Sequence, residues 1–244
     1  MKLGEIKTEG NLKILVYGAS GSGKTVFAAG FPYPMLYLDF DMKADSAALF
    51  YKDQPERLDQ IDVRQLGEAM SGSPIEQLTR IINNELIPQQ NAGAMKYKTI
   101  VIDSLTTFSS ATLNYIITSN PGVKRSVSKQ GAQPQISDYG ILRREFQKLI
   151  PGILSLPCNI VMLGHIATEK DETTGQIFRG PHMDGSFARD LPIYFKEVYF
   201  SSVNDKREYM LQTQSNSTHT CRSQIPGLPN PVKTSYEEIA KYLK

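Results

Sequence analysis

Cysteine is scarce in this sequence: of its 244 residues only Cys158 and Cys221 are cysteines, far apart and without the spacing of a metal site. Neither a disulfide framework nor a zinc cluster is indicated, and a reducing intracellular compartment fits best. Long apolar runs are missing too. Nothing approaches the roughly 18 apolar residues that a membrane span requires, and the opening MKLGEIKTEG lacks the apolar stretch of a signal peptide. The expectation is a cytoplasmic protein with no membrane partner. There is also no charge excess. Lys and Arg total 27 against 25 Asp and Glu, a net charge of +2, so any basic surface has to be local. With 40% hydrophobic and 21% charged residues, the composition is that of a globular chain with one sizeable core, which excludes disorder, collagen and coiled coil.

What is present alternates between two periods. Short apolar runs at 12–17, 35–38, 99–102 and 159–163 read as strands buried on both faces. Between them, helices are expected over 24–29, from the Ser73-Pro74-Ile75-Glu76 capping box onward, and over 139–150. In that box Ser73 is the N-cap, Pro74 opens the helix and Glu76 reaches back. Ile75, Leu78, Ile82 and Leu86 give the helix one apolar face. Buried strands alternating with helices predict an α/β fold, a mostly parallel sheet covered on both sides. From about residue 193 the pattern turns to Tyr, Phe, Val and Thr with turn signals, which suits antiparallel strands at one edge. The whole chain, 1–244, is expected to be one domain. A polar stretch at about 119–137 reads as a mobile, functional loop, and about 168–186, around Thr173-Thr174-Gly175, as a hairpin.

The decisive motif is Gly18-Ala19-Ser20-Gly21-Ser22-Gly23-Lys24-Thr25, which satisfies G-x-x-x-x-G-K-[ST] between a strand and a helix. Glycines let the backbone curl so that its N–H groups face phosphate oxygens, and the helix that follows adds its positive end. Lys24 neutralises charge on the β/γ-phosphates and the Thr25 hydroxyl can ligate Mg²⁺. A Gly-rich turn that merely caps a helix does not explain Lys-Thr after the last glycine. Asp103 ends the strand Thr99-Ile100-Val101-Ile102. There it can hold Mg²⁺ beside the loop, or cap the next helix. Asp39 and Asp41 end another strand, where a carboxylate can orient water; the alternative is that they are solvated loop acids.

In these residues the chain resembles the RecA-like branch of P-loop ATPases, most closely small phage-encoded proteins of single-strand annealing and recombination. The resemblance spans about residues 12–203. Leu38-Asp39-Phe40-Asp41 matches that branch's Asp-x-Glu, with Asp41 replacing Glu at the water-activating position. Ile100-Val101-Ile102-Asp103-Ser104 matches its metal-binding strand, and Val161-Met162-Leu163-Gly164-His165 the strand whose last residue senses the γ-phosphate. The resemblance implies DNA-binding loops after the helix that follows the metal-binding strand and after the sensor strand. Lys124, Arg125 and Lys129 in the first, and Lys170, Phe178 and Arg179 in the second, are the candidate contacts. As bland alternatives, both loops are solvated surface. Arg189 and Lys196 fall where relatives supply a cation to a neighbour's nucleotide; otherwise they are surface charges. Recombinases of the branch also carry an N-terminal polymerisation segment, whereas about ten residues precede the first strand here.

The expectation is therefore an ATPase using ATP and Mg²⁺, stimulated by single-stranded DNA. It would act in annealing or recombination as a ring or filament of identical subunits, with a single-strand-binding protein as a further partner. If phage-encoded, it would work in the host cytoplasm. The alternatives are a ring helicase or packaging motor, and a nucleotide-switched binding module without catalysis.

Overall fold

The computed structural model describes residues 10–68, 72–119, 123, 125–128 and 131–243. The first half runs β1 (Lys13–Gly18), α1 (Lys24–Ala29), β2 (Met35–Asp39), α2 (Asp45–Phe50), α3 (Pro55–Leu58), β3 (Ile61–Gln65) and α4 (Pro74–Ile81). A π-helical turn, Ile82–Leu86, joins α4 to α5 (Ile87–Asn91), and β4 (Thr99–Asp103) and α6 (Leu105–Ser119) follow. The second half comprises the short pair β5 (Val127–Ser128) and β6 (Gly131–Ala132), then α7 (Ile136–Leu154), β7 (Asn159–Lys170), β8 (Ile177–Pro181) and α8 (Phe187–Asp190). The chain continues through a 3₁₀ turn, Leu191–Tyr194, to β9 (Glu197–Val203), β10 (Tyr209–Gln212), β11 (Val232–Lys233) and α9 (Tyr236–Ala240).

Strand order in the main sheet is β11-β10-β9-β1-β7-β4-β2-β3, with β8 pairing the far end of β7. Strands β9, β1, β7, β4, β2 and β3 are mutually parallel, and β10 and β11 close the edge antiparallel. The expected α/β architecture is therefore present, with one adjustment: β9, read as part of the antiparallel edge, is parallel to β1. The path from β7 to β9 passes through the β7–β8 hairpin and α8, and such a crossover returns the chain in the same direction.

Alternation along the strands feeds two cores. Leu15, Tyr17, Leu36, Leu38, Ile100, Ile102, Ile160 and Met162 pack under α4, α6 and α7 with Leu78, Phe108 and Phe146. Ile14, Val16, Met35, Tyr37, Val101, Val161 and Leu163 pack under α1, α2 and α9 with Phe27, Ala47 and Ile239. Each large side chain so buried contributes about 1.5–3 kcal/mol, and together they hold the strand ends that carry the polar residues. The Ser73 capping box forms as read, with Glu76 at its third position. Helix α7 is longer than its apolar period suggests. It starts at a second box made by Gln135 and Asp138 and runs through Pro151 in its last turn, where the proline forgoes its i→i−4 hydrogen bond and crowds the carbonyl four residues back. Strand β7 likewise outruns its apolar segment because Ile166–Lys170 find partners in β8. No helix among the described residues is long and apolar enough to cross a membrane.

Candidate active site

The loop from Gly18 to Thr25 leaves β1 at the centre of the sheet. A Cβ on Gly18 would lie 2.3 Å from the Ser201 carbonyl oxygen of β9, so only glycine fits where the loop begins. Gly23 has φ of +90°, a left-handed conformation that suits glycine, and its carbonyl accepts the Phe27 N–H at 2.9 Å, the first bond of α1. Lys24 is buried. Its Nζ donates to the carbonyls of Gly18 at 3.0 Å and Ala19 at 2.8 Å, folding the cation back onto its own loop. Burial lowers the Lys24 pKa, while the charges of Asp103 and Asp41 act in the opposite sense.

Thr25 Oγ1 donates to Asp103 Oδ2 at 2.7 Å, and the Tyr37 hydroxyl donates to the same oxygen at 2.6 Å. Burial pushes the Asp103 carboxyl up, the two hydroxyl donors pull it back, and the neighbouring charges of Asp41 and Asp39 push it up again. Asp103 does not cap α6. Ser104 does, its Oγ accepting the Thr107 N–H at 3.3 Å. Thr25 and Asp103 thus stand together beside the phosphate loop. Among the described residues no cluster of three or more His, Cys, Asp or Glu is arranged to hold a metal by itself. One carboxylate and one hydroxyl match the way Mg²⁺ is held when phosphates and waters complete its shell.

The two acids after β2 have different employments. Asp39 is fully buried, and its oxygens accept the backbone N–H groups of Lys43 at 3.3 Å and Ala44 at 2.9 Å. It closes the 39–44 turn, in which Met42 takes φ of +56°. Asp41 instead faces the site. Its Oδ1 accepts from Ser104 Oγ at 2.8 Å and from Thr107 Oγ1, while its Oδ2 lies 3.4 Å from His165 Nε2. Burial would raise the Asp41 pKa, but the Thr107 and Ser104 hydroxyls, with the charges of His165 and Lys43, more than offset it and the net shift is downward. Oδ1 is saturated by hydroxyls and Oδ2 is the oxygen left to orient another group. His165 sits opposite Gly18 in the β1–β7 register, and its backbone N–H donates to Thr106 Oγ1 at 2.9 Å.

Tyr37, Ser104 and Thr107 are site residues that the sequence reading missed. Tyr37 lies inside an apolar strand and passes as core; Ser104 and Thr107 belong to a helix start. The signal that could have found them is position, one turn or one strand from an acid already singled out.

The DNA candidates are scattered. Lys124 and Lys129 lie outside the described residues. Arg125 does not stand as an open phosphate contact: it forms an ion pair with Asp138 in the first turn of α7, and the two side chains are only 5% and 2% exposed. The acid that ends the basic stretch in sequence folds back onto Arg125. The expected hairpin exists, with Glu169 opposite Phe178 and Lys170 opposite Ile177. Phe178 is 47% exposed. Pleating puts Lys170 and Arg179 on the face away from Phe178, and the Arg179 backbone is tied to Thr218 and Thr220. Beside the hairpin lies an open groove of about 790 Å³ lined by Phe178, Arg179, Arg189, Ile193 and Arg222. Arg189 pairs with Glu169 at 2.7 Å on the surface. Lys196 is exposed and makes no ion pair among the described residues.

A family model described as an AAA domain matches residues 10–225. The comparison with curated proteins returned no match. Among solved structures, the chain is similar to a KaiC-like protein from the hyperthermophilic archaeon Pyrococcus horikoshii OT3. The identity is 14%, with 84% of this chain and 78% of that one covered, at a TM-score of 0.46.

Proposed function

The chain belongs to the AAA domain family and is a P-loop ATPase, and we propose that it couples ATP hydrolysis to binding of single-stranded DNA, promoting annealing or recombination. In this reading the Lys24 ammonium exchanges its two loop carbonyls for phosphate oxygens, an exchange of hydrogen bonds that keeps a buried cation paired. Thr25 and Asp103 would hold Mg²⁺, which supplies positive charge at the phosphates when bound. Asp41, with Oδ1 fixed by Ser104 and Thr107, uses Oδ2 to orient the attacking water. A carboxylate held ionised by hydroxyl donors is a positioner of water more than a strong base. Backbone N–H groups of the loop and Lys24 stabilise the charge that develops on the transferred phosphoryl group.

The observation that carries the coupling is the placement of His165. Its ring lies 3.4 Å from Asp41, and the same strand continues without interruption to Lys170 in the β7–β8 hairpin. A change at the γ-phosphate that moves His165 would therefore pull on the strand that ends in the hairpin. There Phe178 is the stacking candidate and Lys170 the phosphate candidate. Assembly into a homo-oligomer would bring Lys196, or Arg189 released from Glu169, to a neighbour's nucleotide; an exposed pair such as Arg189–Glu169 is worth only about 0–1 kcal/mol.

Hydrolysis by the purified chain with and without a single-stranded oligonucleotide tests the reading. A rate increase on adding the oligonucleotide is expected. Robust hydrolysis indifferent to any nucleic acid would remove DNA from the mechanism and leave the ATPase.

A further inference from the structure

The strand order constrains the direction in which a nucleotide would lie on the phosphate loop. Both hydrolytic acids lie on one side of β1: the order β1-β7-β4-β2 puts Asp103 and Asp41 there. The γ-phosphate must point that way, because the water-orienting carboxylate and the metal-side pair act on it. The ribose and base must then leave toward the opposite side, over β9 and β10.

Tyr209 stands on that side. It is the first residue of β10, held by pairing with Val203 and by the Thr234 N–H donating to its carbonyl at 3.0 Å. Pleating puts Tyr209 on the same face as Leu211. Leu211 is buried in the core shared with Phe27 of α1, so Tyr209 projects on the α1 face, where the phosphate loop lies. Its ring rests on the loop itself. A Cβ on Gly23 would come within 2.8 Å of Tyr209 Cδ1 and 3.3 Å of Cγ. The ring thus packs one surface on the glycine that precedes Lys24, yet the residue remains 51% exposed. A single exposed aromatic needs no explanation by itself. An aromatic seated on the phosphate loop, at the end where the base must emerge, does.

We infer that Tyr209 is the nucleobase platform of this site, taking purine nucleoside triphosphates by stacking. The inference rests on the phosphate-loop reading and adds the base to it. An aromatic ring offers a π-face to any base and reads area rather than edge pattern, so Tyr209 favours purines over pyrimidines without separating ATP from GTP.

The chain has no tryptophan, so Tyr209→Trp introduces a sole indole reporter at the platform. Its fluorescence is titrated with ATP and with inorganic tripolyphosphate, which offers phosphates and no base. Tyr209→Ala and Tyr209→Phe are measured alongside by calorimetry. Expected results are fluorescence quenching by ATP but not by tripolyphosphate, and an ATP affinity about tenfold lower for Tyr209→Ala. Tyr209→Phe should keep wild-type affinity, and tripolyphosphate should bind all variants within about twofold. Wild-type affinity for ATP in Tyr209→Ala, or equal quenching by both ligands, overturns the platform while leaving the phosphate loop intact. A wild-type protein that binds neither ligand overturns both.

Discussion

Tyr37 and Asp103, on neighbouring parallel strands, are joined by a hydrogen bond of 2.6 Å from the phenol to Oδ2. Thr25 donates to that same oxygen, so a strand, its neighbour and the phosphate loop converge on one carboxylate atom. The site is a joint product of three chain segments, and its parts should fail in distinguishable ways.

Lys24→Ala removes the cation that the loop carries. ATP binding should weaken strongly and hydrolysis should fall by about 10²-fold or more, on the scale of losing a charge-stabilising group. Isothermal titration and steady-state hydrolysis check it; unchanged ATP affinity in a folded variant would show that the phosphates bind elsewhere.

Asp41→Asn keeps the acceptor shape for Ser104 and Thr107 but loses the carboxylate that faces His165. Nucleotide affinity should persist while turnover drops by roughly 10²- to 10⁴-fold. Asp103→Asn should differ by requiring more Mg²⁺ for half-maximal rate, since its carboxylate is the group proposed to hold the metal. Normal turnover by Asp41→Asn would discard the assignment. Asp39 is a poor substitute, because both its oxygens close the 39–44 turn.

The Arg125–Asp138 pair predicts a pH effect on stability. The Arg125 hydrogen bond and charge hold the Asp138 carboxyl below its usual range, so the folded state binds this proton less readily than the unfolded chain. The stabilisation is full above the unfolded value, about 3.9, and disappears as pH falls through the lower folded value. Asp138→Asn should therefore be less stable than wild type at pH 7, with a difference that shrinks toward pH 2. Urea unfolding at several pH values measures it, and a difference independent of pH would contradict the pairing.

The proposed DNA contacts separate by salt. Replacing Lys124 and Lys129 together by Ala should weaken binding of every single-stranded sequence alike and reduce the slope of log affinity against log salt by about 1.4, at 0.7 per contact. Phe178→Ala should lower affinity by about 1–3 kcal/mol with the slope unchanged if the ring stacks on a base. Fluorescence anisotropy of a labelled oligonucleotide across salt concentrations reads both. Arg125→Ala should leave the slope alone, because its charge is already matched by Asp138.

Read alone, the sequence determined the α/β class, the phosphate loop, the Ser73 box and the acids at strand ends. Each of these is a local pattern. Loop conformation follows from the glycines, and burial on both faces follows from unbroken apolar runs; neither needs a distant partner to be recognised. Tertiary structure alone decided which acid does what. Asp39 and Asp41 are two residues apart and chemically identical, yet one has both oxygens taken by backbone amides, while the other has only Oδ1 held by Ser104 and Thr107 and turns Oδ2 toward His165. The same holds for Arg125, whose partner lies 13 residues on, and for Tyr209, brought to Gly23 by a strand more than 180 positions away. Side-chain partnerships depend on strand order and on crossover paths, which are set by packing of the whole sheet against both helical layers. A one-dimensional pattern records which residues are buried, but not against which neighbour.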